Sequence, residues 1–178
     1  FEGGEIIRMP WNGNNFGPAE VLVPATADRN NYYPAFSPDG EWIAYNRAVR
    51  TEIRRADGTV ETSSTSYANP SAELWLMAKD GTYQTRLDTA NSVGELQNSF
   101  PRWGPLPDDD VLWLAFSSTR PYPVDPNFDR YLMWLPQIWV TAIEPEKILN
   151  AEDPSSAPFW LPAQDSQSDN HLAIWWSK

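Results

Sequence analysis

The sequence predicts an all-β fold of four-stranded antiparallel units in series, and three observations carry that expectation. A Pro-x-aromatic-x-Pro motif occurs as Pro34-Ala35-Phe36-Ser37-Pro38, Pro101-Arg102-Trp103-Gly104-Pro105 and Pro158-Phe159-Trp160-Leu161-Pro162. Each copy is followed by an acidic or polar turn and then a short apolar run: Trp42-Ile43-Ala44-Tyr45, Leu112-Trp113-Leu114-Ala115-Phe116 and His171-Leu172-Ala173-Ile174-Trp175. Aromatic residues make up 13% of the 178-residue chain and prolines number 17, a composition that suits short strands parted by rigid turns better than helices.

In the first unit the pair Asp39-Gly40 readily takes the positive φ of a tight hairpin, so the chain reverses between Phe36 and Trp42. A second series of strands runs in step with the first. Glu5-Ile6-Ile7-Arg8-Met9-Pro10-Trp11-Asn12-Gly13 aligns without a gap with Glu73-Leu74-Trp75-Leu76-Met77-Ala78-Lys79-Asp80-Gly81, and Gln137-Ile138-Trp139-Val140-Thr141-Ala142-Ile143-Glu144-Pro145 is a looser third copy. A short polar segment bearing Leu or Val follows, as in Val21-Leu22-Val23 and Thr85-Arg86-Leu87, and completes four strands per unit. The expected order is an outer half-unit at 1–28, whole units at 29–96 and 97–155, and an inner half-unit at 156–178.

Ser37-Pro38-Asp39-Gly40 followed by Trp42-Ile43-Ala44-Tyr45, with Leu74-Trp75-Leu76-Met77 and Asp80-Gly81 downstream, resembles the WD40-like PD40 repeat of TolB-type β-propellers. The second copy departs from that pattern with Gly104-Pro105-Leu106-Pro107-Asp108-Asp109-Asp110, and the third with Leu161-Pro162 and a loop running to Asn170. The resemblance implies that the units are propeller blades and that the chain is a segment of a larger propeller, since propellers have about 4 to 8 blades. Half-blades left open would be unpaired edges, so the remainder is expected from the same polypeptide or from a second copy in a homodimer. The resemblance further implies a periplasmic or cell-surface bacterial setting, and a non-catalytic scaffold that binds a protein partner within a larger protein or complex.

The formal net charge of −11 repels phosphate backbones and anionic lipid surfaces, which argues against nucleic-acid and membrane partners. The chain has no Cys, which removes disulfides, thiolate zinc sites, a Cys nucleophile and CxxCH haem attachment. Apolar runs such as Val111-Leu112-Trp113-Leu114-Ala115-Phe116 fall far short of the about 20 residues of a membrane helix.

Long insertions at 48–71 and 119–136 fall between the second and third strands of the two whole units, so both are expected on one face. Thr51 to Thr62 alternate about Asp57-Gly58 and read as an additional hairpin. Loops on a rigid scaffold favour recognition, and arginine and aromatic side chains are enriched at contacts, which nominates Arg54, Arg55, Arg120, Tyr122, Tyr131 and Trp134 for partner binding. Tyr122, Tyr131 and Trp134 would equally suit a carbohydrate, and a propeller of this kind could also gate substrate for an enzyme. Asp125, Asn127 and Asp129 alternate as a calcium loop begins, although Arg130 and Pro136 stand where an EF-hand places Gly and a bidentate Glu. Asp108-Asp109-Asp110 and Asp165-x-Gln167-x-Asp169 are further candidates for a hard cation. His171, the single histidine, is either a general base or a hydrogen-bonded strand-end residue. There is no Gly-x-Ser-x-Gly elbow and no phosphate-cradling glycine loop. Trp75, Trp113, Trp139 and Trp175 alternate along their strands and are expected to form core between blades.

Overall fold

Strand-forming runs and tight turns alternate along the whole chain, and a computed structural model of the protein describes residues 3–54, 56–63, 66, 69–92, 97–106, 111–121, 135–165 and 167–176. Numbered in chain order, β1 (Ile6–Arg8) and β2 (Glu20–Val23) form an antiparallel hairpin. The first sheet is an antiparallel meander of β3 (Arg29–Phe36), β4 (Trp42–Val49), β7 (Glu73–Ala78) and β8 (Thr85–Arg86). Between its second and third strands, β5 (Thr51–Arg54) and β6 (Val60–Ser63) make a separate hairpin. The second sheet repeats the meander with β9 (Ser99–Trp103), β10 (Leu112–Ser118), β11 (Gln137–Ile143) and β12 (Phe159–Trp160). The fold is all-β and antiparallel, as the sequence predicts.

The Ser37-Pro38-Asp39-Gly40 turn works as a set of local hydrogen bonds. Ser37 N–H donates to the Trp42 carbonyl at 2.8 Å, Trp42 N–H returns to Ser37 Oγ at 2.9 Å, and Gly40 N–H donates to the Ser37 carbonyl at 2.9 Å. Asp39 Oδ1 accepts from Glu41 N–H at 3.0 Å. Gly40 sits at φ +73°, where an L side chain is strained, so the glycine is required by the backbone rather than by a neighbour.

Both faces of the first sheet are covered. Ile43, Tyr45 and Met77 pack with Ile6, Leu22 and Val23 of the N-terminal hairpin, while Ala44, Leu74 and Leu76 face Leu112, Leu114, Phe116 and Trp139 of the second sheet. The second sheet then turns Ala115, Ile138 and Val140 the other way, against Ala173. This alternation explains the near-continuous apolar run of β10, since a strand covered on both faces needs apolar residues at odd and even positions. The stack therefore has one direction, hairpin, first sheet, second sheet, C-terminal segment. Trp75 and Trp139 join these interiors as expected, whereas Trp113 and Trp175 remain partly exposed.

The third unit differs from the sequence expectation. Phe159–Trp160, within the third Pro-x-aromatic-x-Pro motif, does not open a new inner half-unit but pairs with β11 as the fourth strand of the second sheet. The polar fourth strand expected before residue 155 is instead a 3-10 helix at Pro145–Asn150, started by Pro145 and closed by Ala151 in the left-handed region. Residues 171–175 carry no strand assignment.

Asn170–Trp175 nevertheless corresponds to the first strands of the two sheets. Asn31-Tyr32-Tyr33-Pro34-Ala35-Phe36, Asn98-Ser99-Phe100-Pro101-Arg102-Trp103 and Asn170-His171-Leu172-Ala173-Ile174-Trp175 share an Asn, a positive-φ residue two positions later, and a terminal aromatic. The φ angles are 51° at Tyr33, 56° at Phe100 and 56° at Leu172. Such a backbone costs on the order of 1–3 kcal/mol in a non-glycine residue and persists only where its surroundings hold it. Here Tyr33 and Phe100 stack at 4.4 Å between ring centroids, and Phe100 meets the His171 ring edge-on at 5.5 Å. The terminal aromatic is used alike: Trp103 Nε1 donates to the Ala35 carbonyl at 2.9 Å, and Trp175 Nε1 to the Arg102 carbonyl at 3.2 Å.

The asparagines fasten each unit to the one before. Asn31 N–H donates to the Gly4 carbonyl at 3.4 Å and Asn170 N–H to the Pro136 carbonyl at 2.8 Å, both just ahead of a third strand. A Cβ on Gly4 would lie 2.2 Å from the Asn31 carbonyl oxygen, so only glycine permits this approach. From the other direction, buried Asn46 on β4 donates through Nδ2 to the Asn98 carbonyl at 2.7 Å and accepts from Phe100 N–H at 3.1 Å. Replacing Asn46 by Leu leaves these groups without partners in a buried seam, and is expected to lower unfolding free energy by about 2–4 kcal/mol, measured by urea denaturation at neutral pH.

Candidate functional site

The insertion face is built from the ends of β4 and β10, where the chain leaves each sheet before returning in the third strand. The β5–β6 hairpin forms as the alternation about Asp57-Gly58 indicates, with Thr51 opposite Ser63 and Arg54 opposite Val60. Asp57 Oδ1 accepts from both the N–H and the hydroxyl of Thr59, at 2.9 and 2.6 Å. The return to the sheet is fixed by Val49 N–H donating to Ser71 Oγ at 2.9 Å, while the Tyr33 and Ser66 hydroxyls lie 3.3 Å apart. Of the nominated contact residues, Arg54 has its backbone in β5. Arg55, Tyr122, Tyr131 and Trp134 lie outside the described residues, as do the calcium candidates Asp125, Asn127 and Asp129 and the run Asp108-Asp109-Asp110.

Arg120, expected as a displayed contact, is instead 7% exposed at the root of the second insertion. Its Nη2 donates to the Ala90 carbonyl at 2.8 Å and to Asn98 Oδ1 at 3.0 Å, and Nε donates to Ser118 Oγ at 3.2 Å. The guanidinium lies 5.1 Å from the Phe116 ring centroid and 5.0 Å from that of Trp139. Burial pushes its pKa down to about 10, still far above neutrality, so the group stays cationic among neutral oxygens and aromatic faces. Its bonds tie the carbonyl of Ala90, in the turn after β8, to the second sheet at the point where the insertion departs. Residue type nominated Arg120 as a surface group; the signal for its actual place is its position two residues past an apolar strand with Ser118 beside it.

His171 stands 3.2 Å through Nδ1 from Ser117 Oγ, which is itself 3.3 Å from Ser99 Oγ. The pair has the composition of a nucleophile and its base, but Ser117 is 1% exposed, so its hydroxyl is closed to substrate and the contact serves the packing of the C-terminal segment. Burial lowers the His171 pKa below its ordinary 6.5, with Asp169 acting in the opposite sense. Asp165 is used by its own turn, accepting from Gln167 N–H at 2.9 Å and Ser168 Oγ at 2.6 Å. The Ser168 hydrogen bond is the main cause of its lowered pKa. Among the described residues no three His, Asp or Glu side chains converge on a position for a metal ion.

A cleft of about 290 Å³ opens at the outer edge between the sheets, with Tyr83, Asp88, Glu152 and Asp153 in its lining. Asp153 is committed there to structure, accepting from Thr89 N–H at 2.6 Å and Ser155 N–H at 3.0 Å. Burial would raise its pKa, but these hydrogen bonds outweigh it and hold the carboxyl below the usual range. The structural residues that residue-type reasoning missed are Asn31, Asn46, Asn98 and Asn170, whose hydrogen bonds join the units; recurrence of Asn two positions before an aromatic or Leu would have found three of them. No helix among the described residues is long and apolar enough to cross a membrane.

Two outcomes follow from this geometry. Arg120→Ala removes donors from Ala90 and Asn98 and leaves a gap between two rings, so a loss of about 2–4 kcal/mol is expected in urea unfolding. For His171 the folded pKa lies below the unfolded value of 6.5, so the unfolded chain takes up the proton first. Its contribution is complete above pH 6.5 and is lost as pH falls toward the folded pKa. The urea midpoint of the native chain should fall between pH 7.5 and 5.5, with a shallower fall in His171→Gln.

The chain matches no protein-family model, no curated protein and no solved structure, so its role is read from its own residues and their arrangement.

Proposed function

We propose that the chain is a non-catalytic segment of a TolB-like β-propeller that scaffolds a protein partner within a larger exported bacterial protein or complex, in the periplasm or at the cell surface. One observation carries this reading: two four-stranded meanders stack in a single direction with both faces covered, and apolar surface stays open at each end of the stack. Blades of a propeller have the same need to be covered on both faces. The contact face is the one bearing 48–71 and 119–136, because the scaffold fixes the roots of both insertions through Ser71 and Arg120 while the segments between are rich in Arg, Tyr and Trp.

The test compares the native chain with a Tyr122→Ala, Tyr131→Ala, Trp134→Ala variant by cross-linking mass spectrometry of its assemblies, alongside a glycan-binding array. Partner cross-links should concentrate on 48–71 and 119–136 and disappear in the variant while far-UV circular dichroism is unchanged. Glycan binding that is lost in the variant with assembly intact would replace the scaffold by a carbohydrate-binding module.

A further inference from the structure

Four tight turns of the chain share one design, Asn or Asp followed by Gly: Asn12-Gly13, Asp39-Gly40, Asp57-Gly58 and Asp80-Gly81. Each glycine has a positive φ, of 98°, 73°, 83° and 85° in that order. In each turn the side-chain oxygen of the first residue accepts from the N–H two positions on, at 3.0 Å for Asn12 and Asp39 and 2.9 Å for Asp57 and Asp80. Asn12 stands where the match of β1 with β7 places Asp80, and it is the one amide among the four.

That difference changes the chemistry open to the turn. An ionised carboxylate resists attack by a main-chain nitrogen, and the Thr59 and Thr82 hydroxyls hold Asp57 and Asp80 below the usual carboxylate range. A neutral carboxamide has no such protection. The surroundings of Asn12 favour the attack: residues 12–16 are exposed, and Gly13 N–H has no hydrogen-bond partner among the described residues. Nothing lies within 4 Å of the place a Gly13 Cβ would take, so the nitrogen is uncrowded. Asn12 Oδ1 also accepts from Asn15 N–H at 2.9 Å, so two donors face the oxygen on which negative charge develops. Asn14 and Asn15 are as exposed, but the residues after them carry side chains beside the nitrogen.

We infer that Asn12-Gly13 is a self-modifying site that deamidates through a succinimide. Hydroxide takes the Gly13 amide proton, the nitrogen bonds to Asn12 Cγ, the Cγ–Nδ2 bond breaks, and ammonia leaves with a proton from water. Water then opens the ring at either carbonyl, and no oxidant or reductant is needed. Opening at Cγ leaves aspartate in a turn that already has the form of the three Asp-Gly turns, so this product keeps the hairpin. Opening at the main-chain carbonyl leaves isoaspartate, with one methylene more in the backbone between Trp11 and Phe16. Those two residues pair across the turn with ring centroids 4.8 Å apart, and Asn12 N–H donates to the Asn15 carbonyl at 3.2 Å. The extra atom breaks that closure and parts the rings. Both products add one negative charge, and the chemistry needs only the hairpin, so it holds with or without a propeller.

The native chain is kept at mildly alkaline pH and followed by anion exchange and by peptide mass spectrometry with electron-transfer fragmentation, which separates isoaspartate from aspartate. Asn12 should convert about tenfold faster than Asn14 or Asn15, a barrier lower by about 1.4 kcal/mol, with a rate proportional to hydroxide. Asn91 and Asn98, buried and hydrogen-bonded, should stay intact. By NMR the Trp11 indole N–H of the aspartate form should match that of Asn12→Asp, while the isoaspartate form gives a separate signal. Asn12→Gln should abolish the early acidic species. Conversion of Asn14 or Asn15 as fast as Asn12, an early acidic species that persists in Asn12→Gln, or an isoaspartate form with the native Trp11 signal would overturn the inference.

Discussion

A buried asparagine between two sheets must find donors and acceptors on both, and at Asn46 that requirement fixes how the sheets meet. Its amide spans from the Glu73 carbonyl beside its own strand to the Asn98 carbonyl and Phe100 N–H of the next sheet. Apolar packing alone would tolerate sliding, because flat faces of Leu, Ala and Phe fit one another at many offsets. The polar seam removes that freedom. Asn91 extends it, accepting from Leu74 N–H and from Asn98 Nδ2 on one oxygen while its own amide donates to Leu74 and Leu87. Leaving any of these groups unpaired costs the desolvation of a buried polar atom, so the seam selects one register rather than adding much net stability.

From that constraint the direction of the stack follows. Every unit presents one face to its predecessor and the other to its successor, with the N–H of Asn31 and of Asn170 donating to the Gly4 and Pro136 carbonyls and the Asn98 carbonyl accepting from Asn46. Both ends of the stack consequently show what the interior hides. Ile7, Met9 and Val21 lie exposed on the hairpin's outer side, and Ile174 and Trp176 are 91% and 86% exposed on the C-terminal segment. These exposed apolar residues at both ends of the stack are the surface on which the proposed scaffold reading rests.

The sheets themselves were legible because local signals and packing agree. Asp39-Gly40 and Asp57-Gly58 turn where they should, and Leu74 to Met77 is a strand in the place its match with Ile6 to Met9 requires. The third unit was misread because Pro158-Phe159-Trp160-Leu161-Pro162 imitates a first strand in composition, while strand order depends on a partner that composition does not name. Trp160 finds Trp139 opposite it on β11, and that pairing decides its role. Arg120 was misplaced for a related reason: a guanidinium beside a proline-rich loop looks solvent-borne until Ala90, Asn98 and two rings are brought to it by tertiary contacts far apart in sequence.

The most direct measurement is native-state hydrogen exchange by NMR across a denaturant series below the unfolding midpoint. If the asparagine seam joins the sheets, protected amides of β4, β7, β10 and β11 share one opening free energy with Phe100, whose N–H is held by Asn46. Separate opening of the two sheets, with Phe100 exchanging like a surface amide, would contradict the account.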